Sequence, residues 1–226
     1  YSAAQEAVTQ AEKLLDLQAA VTYLLDLPAV DRVVMVGVCT SAGNAAYLAA
    51  ADDRVAALAT VAGMLPDPAL FETLNGAEGG RQPPSRRARG PRPMGRHGRQ
   101  TLRRAYSETD PDAINYNPTP GAYDYYTNPA RGGIAQYTNA LDVASLDDWL
   151  SFDPMGRAAG ITVPTLVVHS DGCGFPSQAR RFHDLLAGPK SLAWPDGAHF
   201  DYYDSAPHID RAVEEVTAFL RDKVQT

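Results

Sequence analysis

The chain has 226 residues, 45% of them hydrophobic, with a formal charge of -7 and a pI near 5.2. That length can bury one full core, and the acidic balance argues against nucleic acid or an anionic membrane as the principal partner. Two cysteines, Cys39 and Cys173, lie 134 positions apart, which excludes a disulfide framework or a CxxC zinc pattern and fits a reduced cytoplasmic protein with no metal and no cofactor. No apolar run reaches the roughly 18 residues of a membrane-spanning helix, and the opening "YSAAQEAVTQ" has neither the basic start nor the apolar middle of a signal peptide.

In chain order, Ala4, Val8, Ala11, Leu14, Leu17, Val21 and Leu24 recur every three or four residues, the period of an amphipathic helix that Pro28 closes. "RVVMVGV" reads as a strand buried on both faces, as inside a parallel sheet. "AGNAAYLAAA" continues as helix and "VAALATVAG" as a second strand, completing a βαβ unit. After an irregular middle come the strand "VPTLVVHS", the helix "PSQARRFHDLLAG", the short strand "KSLAWP" and the closing helix "IDRAVEEVTAFLRDKV". The expected architecture is α/β with a mostly parallel sheet.

The middle divides in two. Residues 79–104 hold nine of the 20 Lys plus Arg and no acid, so this stretch is expected to be disordered. It also has the composition of a shifted reading frame in GC-rich DNA. Its arginines lack the interleaved aromatics of a base-stacking surface, which counts against nucleic acid. From 105 to 150 the chain is rich in tyrosine, including Tyr106, Tyr116, Tyr123, Tyr125, Tyr126 and Tyr137. It reads either as a lid-like insertion or as a packed excursion of a single 226-residue domain.

The junction "VVMVGVCTSAG" carries chemistry. A strand that turns sharply into a helix, with small residues on either side of a nucleophile, presents that side chain at the carboxyl end of the sheet. Two registers fit, one centred on Cys39 and one on Ser41. The run Val33 to Val36 leads straight to Gly37 and favours Cys39, whereas Ser41 falls in the first helical turn, where a hydroxyl caps. A nucleophilic cysteine needs a base, and the base an orienting acid. His199 lies between the last strand and the last helix, and Asp171 follows the third strand, in the chain order nucleophile, acid, histidine. Asp196 and Asp201 flank His199 as local substitutes, and Cys173 stands at the more usual position for the acid.

"DRVVMVGVCTSAGNAAYLAAADDRVAALATVAG", "YSETDPDA", "ITVPTLVVHSD" and "ARRFHDLLAGPK" together resemble the dienelactone-hydrolase-related branch of the α/β hydrolases, in a group with a cysteine at the nucleophile elbow. The resemblance implies an α/β-hydrolase-type sheet and hydrolysis of a small-molecule ester, lactone or thioester by a Cys39, His199, Asp171 triad. The N–H of Thr40 would be one oxyanion donor. Such folds place four strands before the elbow, where this chain has one helix. The expectation is an N-terminally incomplete domain whose elbow strand lacks a neighbour, leaving room for a homo-oligomer or a complementing chain. Alternative readings are an inactive fragment that only associates, and a serine esterase built on Ser41.

Overall fold

The computed structural model describes residues 10–71, 102–116, 121–143 and 146–224. They fall into two compact units, one comprising Gln10–Asp67 with Phe152–Thr226 and the other containing Pro68–Ser151.

In the first unit, helix α1 (Gln10–Leu25) precedes strand β1 (Val33–Val38), helix α2 (Thr40–Ala51) and strand β2 (Val55–Val61). Strand β3 (Thr165–Val168), helix α3 (Pro176–Leu185), strand β4 (Lys190–Ala193), the short helix α4 (Asp201–Asp204) and helix α5 (Ala206–Val224) complete it. The strands form one parallel sheet in the order β1-β2-β3-β4. Alternation along each strand supplies two cores. Leu58 and Val167 pack under α2 and α3 with Val21, Leu48, Ile161 and Phe182. Ala57, Ala59, Leu166 and Val168 pack under α5 with Ala212 and Phe219. Leu48 and Phe182 are wholly buried, and truncating either to alanine costs about 2–5 kcal/mol by lost transfer energy and the cavity left behind.

The parallel α/β reading of the sequence is met, with the βαβ unit intact. Among the described residues β1 pairs with β2 alone, and it is less buried than its continuous apolar sequence implies: Val36 is 47% and Val38 38% exposed.

In the second unit, Leu102–Arg104 pairs antiparallel with Ala140–Asp142, and Tyr106–Ser107 pairs with Asn115–Tyr116. Tyr126 is the hub of an aromatic cluster, stacking on Tyr106 at 5.2 Å and meeting Tyr125 and Tyr137 at 5.1 and 5.5 Å. Burial pushes the Tyr137 phenol up to about 12, with the nearby Tyr126 adding to it. Four of the tyrosines in this stretch, Tyr106, Tyr125, Tyr126 and Tyr137, thus pack around one another. The basic stretch expected to be disordered has its last three residues in a strand, with Arg104 3.6 Å from Asp110; residues 79–101 lie outside the described residues.

Candidate active site

The site is built at the carboxyl end of β1. Cys39 leaves the strand with φ 53° and ψ -123°, a conformation that costs an L-residue free energy and persists only where its surroundings impose it. Three backbone hydrogen bonds impose it here. The Cys39 N–H donates to Val61 O at 3.1 Å, and the Cys39 carbonyl accepts from Ala42 at 3.0 Å and Met64 at 2.9 Å. The sharp turn brings α2 back against the strand, so a Cβ at position 37 would lie 2.5 Å from Ala42 Cα. Only glycine fits there. A Cβ on Gly63 would sit 3.0 Å from Ala42 Cβ, a tight but less severe contact.

Cys39 is half-buried, at the N-terminus of α2, where unpaired N–H groups and the helix dipole favour negative charge. The N–H of Thr40, next in sequence, lies in that first turn. Ser41 is exposed within the helix, and no hydrogen bond joins its hydroxyl to a histidine among the described residues. The strained turn is thus centred on Cys39.

His199 arrives from the loop between β4 and α4, and two contacts seat that loop. Gly172 bridges Ala198 in parallel fashion, and the His199 N–H donates to Gly172 O at 3.2 Å. This close approach requires glycine at 172, since a Cβ would lie 2.4 Å from Gly197 O. The outcome is His199 Nε2 3.3 Å from Cys39 Sγ, across 160 positions of sequence. The imidazole lies against the rings of Phe200 at 5.1 Å and Tyr203 at 5.7 Å. Burial, with a smaller contribution from His169, lowers its pKa to about 4, so the ring is neutral at pH 7.

Asp171 does not join them. Its side chain is 78% exposed and pairs with Arg180 at 3.2 Å, while the His199 Nδ1 it was expected to face accepts the N–H of Gly174 at 3.3 Å. The loop after β3 turns Asp171 toward α3 and solvent, and a backbone amide occupies the acid's place. Neither flanking aspartate replaces it: Asp201 accepts from the N–H of Ala198 at 2.7 Å, and the His199 ring nitrogens meet Gly174 and Cys39 rather than Asp196. Cys173 is buried, its Sγ 3.2 Å from Ser170 Oγ, and burial pushes its thiol pKa up. A hydroxyl has one proton to give, and Ser170 Oγ lies 2.5 Å from Gly197 O; on that assignment Cys173 is the donor to Ser170.

The other described histidines have partners other than Cys39. His169 is fully buried and stacks on Trp194 at 5.3 Å, His183 is 3.5 Å from Asp184, and His208 is 2.9 Å from Ser205 Oγ. His97 lies outside the described residues. No group of three potential metal-ligating side chains occurs among the described residues, and no helix among them is long and apolar enough to cross a membrane. The site residue that sequence reasoning missed is Gly174, whose contribution is a backbone N–H with no side-chain signature.

No protein-family model and no curated protein matches the chain. Solved structures do. DcsB, determined with a substrate analogue, superposes with a TM-score of 0.72 at 16% identity, covering 99% of this chain and 76% of its own. The α/β hydrolase GrgF from Penicillium sp. sh18 gives 0.69 at 18% identity, covering 98% and 74%. Est1E from Butyrivibrio proteoclasticus, determined with ferulic acid, gives 0.62 at 18% identity, covering 98% and 71%. At such identities the likeness is one of backbone arrangement, and it agrees with the parallel sheet and strained strand-to-helix turn: this chain has the α/β-hydrolase fold.

Proposed function

We propose that the chain hydrolyses a carboxylic ester, lactone or thioester of a small molecule, with Cys39 as nucleophile, His199 as its partner and the Thr40 N–H as an oxyanion donor. One observation carries the reading: Cys39 is held at positive φ between β1 and α2 with an imidazole nitrogen 3.3 Å from its sulfur. Strain of this kind is retained where it serves a site, and a nucleophile within hydrogen-bond reach of a histidine is the signature of covalent catalysis. Further support comes from the similar structures, one of them an α/β hydrolase and another bound to ferulic acid.

In this reading the Cys39 thiolate attacks the carbonyl carbon, and the developing oxyanion accepts the Thr40 N–H in the first turn of α2. The leaving group departs, and water clears the acyl-enzyme. The machinery is a Cys39–His199 dyad rather than a triad, since Asp171 is committed to Arg180.

The test is hydrolysis of nitrophenyl acetate by the wild type, Cys39→Ala, His199→Ala, the Cys39→Ala/His199→Ala double variant and Ser41→Ala. Loss of the nucleophile removes the covalent route itself, so Cys39→Ala should cost as much as the double variant, whereas His199→Ala should lower turnover, with Ser41→Ala close to wild type. Activity that survives Cys39→Ala and vanishes in Ser41→Ala would transfer the role to Ser41; activity indifferent to all of them would leave only an associating fold.

A further inference from the structure

Both nitrogens of His199 are engaged. Gly174 directs its N–H at Nδ1 from 3.3 Å, and Nε2 faces Cys39 Sγ at 3.3 Å. A peptide N–H can only donate, so Nδ1 receives it through a lone pair, and a neutral imidazole has one proton for its two nitrogens. That proton sits on Nε2, directed at the sulfur. A carboxylate at Nδ1 would impose the opposite tautomer, but Asp171 and Asp201 are engaged elsewhere. The rings of Phe200 and Tyr203 lie against the imidazole and oppose its rotation.

We infer, on the basis of the dyad reading above, that this site cleaves acyl groups from leaving groups that depart as stable anions, namely thioesters and aryl esters, and discriminates against alkyl esters. The reason is that Gly174 fixes His199 as a hydrogen-bond donor with no lone pair toward the sulfur. The thiol proton of Cys39 goes to solvent hydroxide, and the Nε2–H supports the resulting thiolate. The sulfur lone pair forms the S–C bond to the acyl carbon while the carbonyl π pair moves onto oxygen. Collapse then breaks the bond to the leaving group, which takes its electron pair as a thiolate or phenolate. An alkoxide would need a proton in flight. Neutral His199 could give one only by becoming imidazolate, and the imidazolium form is scarce at neutral pH in a site that lowers its pKa to about 4. Hydroxide next adds to the acyl-enzyme, Cys39 leaves as a thiolate facing the same Nε2–H, and the carboxylic acid loses its proton to solvent.

Two measurements on the full chain test this. In 15N-labelled protein at neutral pH, NMR of the histidine ring nitrogens, assigned by the signals lost in His199→Gln, should find the proton on Nε2. A proton on Nδ1 overturns the inference whether or not turnover is detected. The second measurement compares kcat/KM for a nitrophenyl ester, an alkyl thioester and an ethyl ester of one acyl group, each divided by its uncatalysed hydrolysis rate. General-acid assistance is worth about 10²- to 10⁴-fold, so the ethyl ester should trail the other two by at least about 100-fold. An ethyl ester within about tenfold of the thioester overturns the proposal. Cys39→Ala separates the two layers. Turnover that survives it removes the dyad reading itself, whereas Cys39-dependent turnover without leaving-group discrimination keeps the dyad and removes the donor role of His199.

Discussion

Replacing Cys39 by glycine should make the protein more stable than replacing it by alanine, the reverse of the ordinary order inside a folded element. Both substitutions delete the sulfur and its contacts with His199 and Thr40, so the comparison isolates one methyl group. At φ 53° and ψ -123° that methyl is strained against its own backbone, at a cost of about 1–3 kcal/mol. Glycine relieves the strain, gives back about 0.4–1 kcal/mol through its freer unfolded chain, and forgoes about 0.4 kcal/mol of transfer energy for a half-buried methyl. The balance favours glycine by about 1 kcal/mol, equivalent to about 2–4 °C in Tm for a chain of this length. Urea unfolding followed by circular dichroism measures it, with matched m-values as the check that the unfolded states are comparable. Val38→Ala and Val38→Gly serve as control, one residue earlier in the extended strand β1, where glycine should be the less stable by about 0.5–1 kcal/mol. If Cys39→Gly is no more stable than Cys39→Ala, the strained elbow, and with it the structural case for Cys39, is refuted.

Three further outcomes are expected. The folded-state pKa of His199, about 4, lies below the ordinary value near 6.5, so its neutral form contributes stability that is complete above about pH 6.5 and lost as pH falls toward 4. The shift corresponds to about 3 kcal/mol, reduced to about 2 because the ring is only partly buried; urea midpoints at pH 7 and 4 should fall further in wild type than in His199→Gln, and parallel losses would contradict it. Asp171→Asn should leave nitrophenyl acetate hydrolysis within about twofold of wild type, because it removes only an exposed pair with Arg180 worth at most about 1 kcal/mol; a loss of 100-fold or more would mean that the loop rearranges to bring Asp171 to His199. Iodoacetamide should label half-buried Cys39 well before buried Cys173, whose thiol pKa is pushed up by burial; equal rates, followed by mass spectrometry of the peptides, would count against the assigned environments.

Much of the sheet and the elbow was legible in the amino-acid sequence because both are written in local patterns. The unbroken apolar run of β1, the alanine-rich α2 and the apolar β2 follow one another within about 30 residues, and short connections leave few topologies open. Gly37 before Cys39 marks a crowded turn, and the crowding comes from the approach of Ala42. His199 was found by chain order, since a loop after the last parallel strand must open at the same end of the sheet as the loop after the first. What the sequence left undecided was the direction of each loop side chain. Asp171 has the right order and the right strand end, yet its orientation is set by the backbone path through Gly172, Cys173, Gly174 and Phe175, the last at φ 56°, and by Arg180 nine residues away on α3. The tautomer of His199 depends on a peptide N–H that every residue except proline possesses, so no residue type announces it. Patterns repeated along the chain specified the elements and their order, whereas hydrogen bonds between loops 160 or 25 positions apart exist only once the sheet has brought those loops together, and the proton on His199 is decided there.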